Sequence, residues 1–196
     1  NDPGSFATRQ GHPNCCENLR VLGVHTDGGL RPRFVIPARK LHRANALTHD
    51  QAALVEVLAV GMHAARRGQC KSSEHVLVLG AGPLGLSAAL AAVRAGAQVM
   101  VMDPDPIRLD FVRQRLRLPN VIQVLGDDSD LHRIEQCTGG HLAQCVIDTT
   151  GSHRLMTESV RFAAFGGRIV FAGLTNSELS FSHPFVHRRE LSLLSS

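Results

Sequence analysis

The sequence predicts an α/β fold: a doubly wound, six-stranded parallel sheet preceded by a smaller β-rich segment. Three observations predict it. From residue 74 onward, short apolar runs alternate with helical patterns; the first run ends in a glycine-rich turn; and the second stops at an acidic residue.

Residues 1–18 are polar and irregular. Leu19–His25 and Leu30–Pro37 read as two strands around Asp27-Gly28-Gly29, a hairpin signal. Thr48-His49-Asp50-Gln51 has the form of a capping box and opens an apolar helix that runs to about Arg67. Gly68–Ser73 reads as a linker. The six strands of the sheet are expected at Val76–Leu79, Gln98–Met102, Val121–Val124, Ala143–Asp148, Arg168–Ala172 and Glu190–Leu194. Helices are expected at Leu84–Ala95, Pro106–Leu116, Ser129–Gln136 and His153–Ala164, with no clear helix in the last crossover. This divides the chain into residues 1–47, a connecting helix and linker at 48–73, and a sheet domain at 74–196.

The turn is Gly80-Ala81-Gly82-Pro83-Leu84-Gly85, and Asp103 lies 18 positions after its last glycine. Strand, glycine turn, helix, strand and terminal acid together form the dinucleotide fingerprint of a Rossmann unit. Gly80 permits the tight turn, Gly82 lets a pyrophosphate approach the backbone, and Gly85 lets the helix pack against the sheet. The free N–H groups and positive dipole end of the helix face the phosphates. Asp103 would accept hydrogen bonds from a ribose and repel a 2′-phosphate, which favours NAD over NADP.

Composition narrows the remaining classes. The 196 residues are 43% hydrophobic and 19% charged, ordinary for a globular protein. No apolar run could cross a bilayer, because Leu90–Ala97 is broken by Arg94. There is no signal-peptide pattern, and the five cysteines form no disulfide framework, so a reducing cytoplasm is expected. The net charge is +4, but the basic residues are scattered and tyrosine and tryptophan are missing, which argues against nucleic acid as a partner. The His187-Arg188-Arg189 cluster reads as a solvated loop, with a place near an anionic substrate or a subunit interface as the alternative; Cys70, Cys137 and Cys145 read as ordinary thiols. The chain opens on Asn1 and closes on LSLLSS, the look of an internal stretch of a longer protein.

Several stretches carry a more specific likeness. Pro13-Asn14-Cys15-Cys16-Glu17-Asn18, Val21–Gly29, Val35-Ile36-Pro37, Ala52–Glu56, Ala59–Ala64, the glycine turn, Asp148-Thr149-Thr150-Gly151 and Gly166–Leu174 together resemble the medium-chain, zinc-type alcohol and polyol dehydrogenases. Within that superfamily the chain looks most like the sorbitol, threonine and sugar-acid dehydrogenases. The resemblance runs from Arg9 to the end. Short-chain dehydrogenases, which use a catalytic tyrosine, do not fit a chain without one. The resemblance implies a partial GroES-like catalytic segment before the Rossmann domain and NAD as cofactor. It also implies zinc-assisted oxidation of a small-molecule secondary alcohol, and pairing of subunits along the cofactor sheet.

By the same resemblance, zinc takes a Cys, a His and a third Cys or Glu, and only the third position is matched here, by Glu56. Read alone, Glu56 is either a buried, paired carboxylate or a metal ligand or neighbour of one. His63 lies two helical turns beyond it, about 10 Å along the axis, too far to share a metal. In the family's structural zinc lobe, Cys16 falls on the fourth ligand position, and the other three fall on Thr8, Ser5 and Asp2. Neutral hydroxyls are poor partners for thiolate zinc, so no structural zinc is expected. By motif matching, Pro83 and Leu84 lie over the pyrophosphate, Asp103 and Arg108 at the ribose, Thr149 at the carboxyl edge of the sheet, and Ala172, Gly173 and Leu174 at the nicotinamide. Arg108 read alone is a solvated helix residue, and the other strand ends read alone are turn chemistry. Two further readings stay open: a dinucleotide-binding redox sensor without catalysis, and a zinc-free medium-chain reductase.

Overall fold

The computed structural model describes all residues, Asn1–Ser196. The chain forms two compact units, Asn1–Ala46 and Leu47–Ser196.

The first unit holds one short helix, α1 (Phe6–Arg9), and brief 3-10 turns at Pro13–Cys15 and Ala38–Lys40. The hairpin expected at 19–37 does not form. The only bridge there joins Leu22, in the first of the two expected strands, to Thr26 just after it. Val24, Leu30 and Val35 are exposed. An isolated two-stranded ribbon with no face to bury is marginal in water, and local alternation cannot supply that face.

The second unit begins with α2 (His49–Arg67), whose N-terminus is closed by the expected capping box. Thr48 accepts from the Gln51 N–H while the Gln51 side chain accepts from the Thr48 N–H. Then follow β1 (His75–Leu79), α3 (Pro83–Arg94), β2 (Gln98–Asp103), α4 (Pro106–Arg115), β3 (Val121–Gln123), α5 (Ser129–Cys137) and β4 (Ala143–Asp148). The last elements are α6 (His153–Glu158), β5 (Ala163–Phe171), α7 (His183–Arg188) and β6 (Ser192–Ser195). The strands order as β3-β2-β1-β4-β5-β6, all parallel. This is the expected doubly wound sheet.

Period-2 alternation sorts the strand residues between two apolar layers. Val76, Val78, Val99, Val101, Cys145, Ile147 and Val170 face α2, α3 and α4, where Ala64, Ala88, Ala92, Leu109 and Val112 meet them. Leu77, Leu79, Met100, Met102, Val146 and Ile169 face the other way, onto Ile134 of α5, Val160 and Phe162. The small residues of α2 and α3 let those helices approach closely: a Cβ on Gly61 would strike Ser87, 2.6 Å from the Ala88 nitrogen. Ser87 Oγ in turn donates to the Leu58 carbonyl, 3.0 Å away.

The structure departs most from the sequence expectation in the last third of the chain. The helix expected at His153–Ala164 stops at Glu158, gives way to a 3-10 turn over Ser159–Phe162, and releases the chain into a longer β5 that starts at Ala163. The last crossover does contain a helix, α7. The His187-Arg188-Arg189 cluster belongs to that helix and its cap rather than to a solvated loop. The Arg189 guanidinium lies 4.4 Å from the Phe185 ring and 5.1 Å from the Phe165 ring, and it donates to the Ala163 carbonyl. Cation–π contact holds the residue that charge alone would have placed in water.

Candidate functional site: the crevice between β1 and β4

The strand order reverses between β1 and β4, so their carboxyl ends open a crevice where an open α/β sheet binds ligands. The glycine turn sits at its mouth. Gly80 adopts φ +100° and its N–H donates to the Met102 carbonyl at 2.7 Å, which locks the turn onto β2. A Cβ there would come 2.7 Å from Thr149 Oγ1. Gly85 is tighter: its Cβ would overlap the Gly80 carbonyl, 2.8 Å from the carbonyl carbon. Gly82 is the opposite case, since a Cβ there meets nothing within 4 Å. The space above Gly82 is a cradle that a methyl group would begin to fill.

Gly82 caps α3 and Pro83 opens it, with no side chain bonding to the first turn. The N–H groups of Leu84 and Gly85 therefore lack intrahelical acceptors and point their positive ends out of the helix. A phosphate is the ligand such a terminus suits.

Asp103 ends β2 and is 3% exposed. Its Oδ2 accepts from the Ala81 N–H at 2.7 Å, and its Oδ1 accepts from the Asp105 N–H at 2.8 Å. The carboxylate thus ties the glycine turn to the loop after β2. Each oxygen retains a second lone pair for a further donor. Arg108, largely exposed, places Nη1 3.8 Å from Asp103 and Nε 3.5 Å from Asp105. Asp105 also caps α4 by accepting from the Ile107 N–H at 2.8 Å. The sequence reading overlooked Asp105, although the Asp-Pro pair at 105–106 is a legible cap signal.

On the other side of the crevice, Thr149 donates its hydroxyl to the Leu79 carbonyl at 2.7 Å, bridging β4 to β1. The N–H groups of Ala172 and Gly173 donate to the Asp148 carbonyl at 2.8 and 2.9 Å. A Cβ on Gly173 would strike Gly151, and one on Gly151 would come 2.6 Å from the Leu174 carbonyl oxygen. Thr149, Ala172 and Gly173 are thereby gathered at one edge, with Leu174 exposed beside them.

The buried Asp148 side chain was not singled out from the sequence. It accepts from the Thr150 N–H at 3.0 Å and the Thr150 hydroxyl at 3.1 Å. Burial raises its pKa above the ordinary 3.8, with the Thr150 and Gly151 hydrogen bonds opposing. Asp127 is shifted the other way, lowered chiefly by the Ser129 hydroxyl. Asp148 contributes stability that is present below pH 3.8 and is lost as pH rises through its raised pKa; Asp127 contributes stability above 3.8 that is lost as pH falls through its lowered one. Side-chain carboxyl NMR should give Asp148 a midpoint above 3.8 and Asp127 one below it. Midpoints in the reverse order would refute this electrostatic reading.

Cavity volume alone points elsewhere. A cavity of about 550 Å³ lies between Phe165, His183, Arg189 and Leu191, at the amino ends of β5 and β6. It lies at the amino ends of the strands, whereas ligands of an open α/β sheet bind at the carboxyl ends where the strand order reverses, so topology decides for the crevice.

Residues 83–196 match the family model described as zinc-binding dehydrogenase. The chain belongs to the zinc-binding dehydrogenase family. It is 42% identical to L-galactonate-5-dehydrogenase of Escherichia coli K12 over 97% of its own length and 55% of that protein. It is 32% identical to 2-dehydro-3-deoxy-L-galactonate 5-dehydrogenase of Pseudoalteromonas atlantica, over 84% of the chain and 48% of the relative. Among solved structures, the NADH complex of an alcohol dehydrogenase (rspB) from E. coli CFT073 superposes with TM-score 0.88 at 26% identity. That match covers all of this chain and 58% of the other. The chain spans about half the length of the curated relatives it matches.

The zinc expected of a zinc-binding dehydrogenase finds a poor fit in the donors of this chain. Glu56 is exposed on α2, not buried and paired, and no three His, Cys, Asp or Glu side chains converge as a metal-holding group. One carboxylate cannot satisfy a four-coordinate ion. The lobe positions tell a different story. Asp2, Ser5, Thr8 and Cys16 do come together: the Asp2 N–H donates to Cys16 Sγ at 3.1 Å, and Ser5 Oγ donates to Thr8 Oγ1 at 2.9 Å. The Ser5 hydroxyl, followed by the Asp2 backbone, lowers the Cys16 thiol below its usual pKa. The Asp2 carboxylate turns instead to the Gly4 N–H and the Asn18 side chain. Hydrogen bonds among these groups hold the lobe, and the set offers zinc a single thiolate.

Proposed function

We propose that this chain is the cofactor-binding part of an NAD-dependent dehydrogenase acting on a secondary alcohol of a small polyol, sugar acid or amino alcohol. The cradle above Gly82, backed by the buried Asp103 carboxylate, carries this reading. The dehydrogenases of galactonate-type acids among its relatives favour a sugar acid as substrate.

NAD, when bound, accepts the hydride; the chain's residues hold and aim it. In this reading, Gly82, Leu84 and Gly85 offer backbone N–H groups to the pyrophosphate, while Pro83 presets the helix start without spending a donor. Asp103 uses its remaining lone pairs on the ribose hydroxyls, with Arg108 alongside. A 2′-phosphate would have to lie against the Asp103 carboxylate, which discriminates against NADP. Thr149, Ala172, Gly173 and Leu174 border the nicotinamide end. Residues 1–47 are proposed as a segment of the GroES-like substrate domain, with 48–73 as connector and 74–196 as the cofactor domain. Glu56 stands as the candidate metal ligand of this stretch.

The pairing of two copies along β6 belongs to the same proposal, supported by the position of that strand at the sheet edge and the exposure of Leu193. All five cysteines are free and no helix is long and apolar enough to cross a membrane, which supports placing the protein in a reducing cytoplasm. Fluorescence titration tests the cofactor reading: NADH should bind at least about tenfold more tightly than NADPH, the order of one misplaced charged contact. Equal affinities, or no binding of either at millimolar concentration, would overturn it.

A further inference from the structure

Cys70 and Cys145 lie 75 residues apart in sequence, yet their sulfurs approach to 3.9 Å. Cys145 is completely buried at the centre of β4, and Cys70 is half-buried in the loop that follows α2. Cys70 also lines a cavity of about 340 Å³ between α2 and α3, with Met62, Arg66, Ala91 and Arg94. A small solute therefore has a path to one thiol and not directly to the other.

The surroundings distinguish the two sulfurs. Arg168 of β5 donates Nε to the Gly68 carbonyl at 2.7 Å and Nη2 to Glu74 at 2.7 Å, so a cation clamps both ends of the loop that carries Cys70. The Cys145 thiol, then the Arg168 charge, lower Cys70 below the usual thiol pKa, with burial and Glu74 opposing. The Cys70 contact, then burial, raise Cys145. Cys70, the sulfur on the cavity side, is thus the more readily deprotonated of the two, with Cys145 buried behind it. Gly68 supplies the room: a Cβ at that position would sit 2.7 Å from Cys145 Sγ. Closing the gap to a bond of about 2.05 Å calls for movement of the Cys70 side chain in a loop, with β4 left in place.

We propose that Cys70 and Cys145 form a peroxide-oxidisable dithiol, with Cys70 as the attacking sulfur and Cys145 as the resolving one. The Cys70 thiolate attacks one oxygen of hydrogen peroxide, the O–O bond breaks, and hydroxide leaves with a proton as water. Cys70 is then a sulfenic acid. The Cys145 sulfur attacks the Cys70 sulfur, the S–O bond breaks, and the hydroxyl departs with the Cys145 proton as a second water. Two electrons pass from the two sulfurs to peroxide, and the disulfide ties the end of α2 to the middle of β4. A thiol reductant reverses it.

The test is mass mapping of the 196-residue chain after brief exposure to hydrogen peroxide, followed by denaturation and alkylation of the remaining thiols. A Cys70–Cys145 cross-linked peptide, lost on treatment with dithiothreitol, supports the proposal. In Cys70→Ser, Cys145 should stay fully alkylatable; in Cys145→Ala, Cys70 should be captured as a dimedone adduct. If both cysteines of the wild-type chain remain alkylatable while the exposed Cys15 is oxidised, the proposal fails. Because the first measurement uses only wild-type protein, misfolding of either variant would not rescue it.

Discussion

Gly85→Ala is expected to destabilise the chain by about 3 kcal/mol, the upper end for overpacking, and to abolish NADH binding. The new methyl would overlap the Gly80 carbonyl and lie 2.9 Å from Thr149 Oγ1. Neither neighbour can yield cheaply. Gly80 is anchored by its N–H to Met102, and Thr149 by its hydroxyl to Leu79, each at 2.7 Å. Relief therefore means moving the turn off β1, α3 away from the sheet, or both. Gly82→Ala should behave in the opposite way. Gly82 has φ −75° and open space where its Cβ would go, so stability should stay within about 0.5 kcal/mol of wild type. NADH affinity should nonetheless fall by about tenfold or more, because the methyl occupies the phosphate's approach. Denaturant melts with NADH titration separate the two effects. Equal losses of stability in both variants would contradict the turn geometry, and unimpaired binding by Gly82→Ala would remove the phosphate from that place.

Asp103→Ala is expected to cost about 2–4 kcal/mol of stability, because it strands two N–H groups that the carboxylate now accepts. Those donors are Ala81 in the glycine turn and Asp105 at the cap of α4, so two elements loosen together. The variant should bind NAD more weakly by about tenfold, and its preference for NAD over NADP should narrow as the repelling charge disappears. Arg108, no longer held 3.8 Å from Asp103, would be free to meet a 2′-phosphate. Dissociation constants for both cofactors check this. A destabilised variant with an unchanged cofactor preference would make Asp103 a structural anchor and nothing more.

The legible parts of the fold were those fixed by local chemistry. The alternation Val76-Leu77-Val78-Leu79 states that both faces of β1 are covered, and the glycine spacing at 80, 82 and 85 can be read without the rest of the chain. The Thr48 capping box and the parallel order follow from equally short-range signals and the handedness of crossovers. What escaped depends on partners distant in sequence. The ribbon expected at 19–37 needed a surface to lie on. Arg189 found two phenylalanine rings, and Cys70 found Cys145, through packing that no periodicity encodes. Asp103 shows both sides of the matter: its place at the end of β2 was readable, but its hydrogen bond to Ala81 across the turn was not.

A crystal structure of the chain with bound NADH tests the central claim most directly. The account predicts the pyrophosphate above Gly82, within hydrogen-bond distance of the Leu84 and Gly85 N–H groups, and the adenosine ribose hydroxyls on Asp103. A dinucleotide bound elsewhere, or a ribose turned away from that carboxylate, would contradict it.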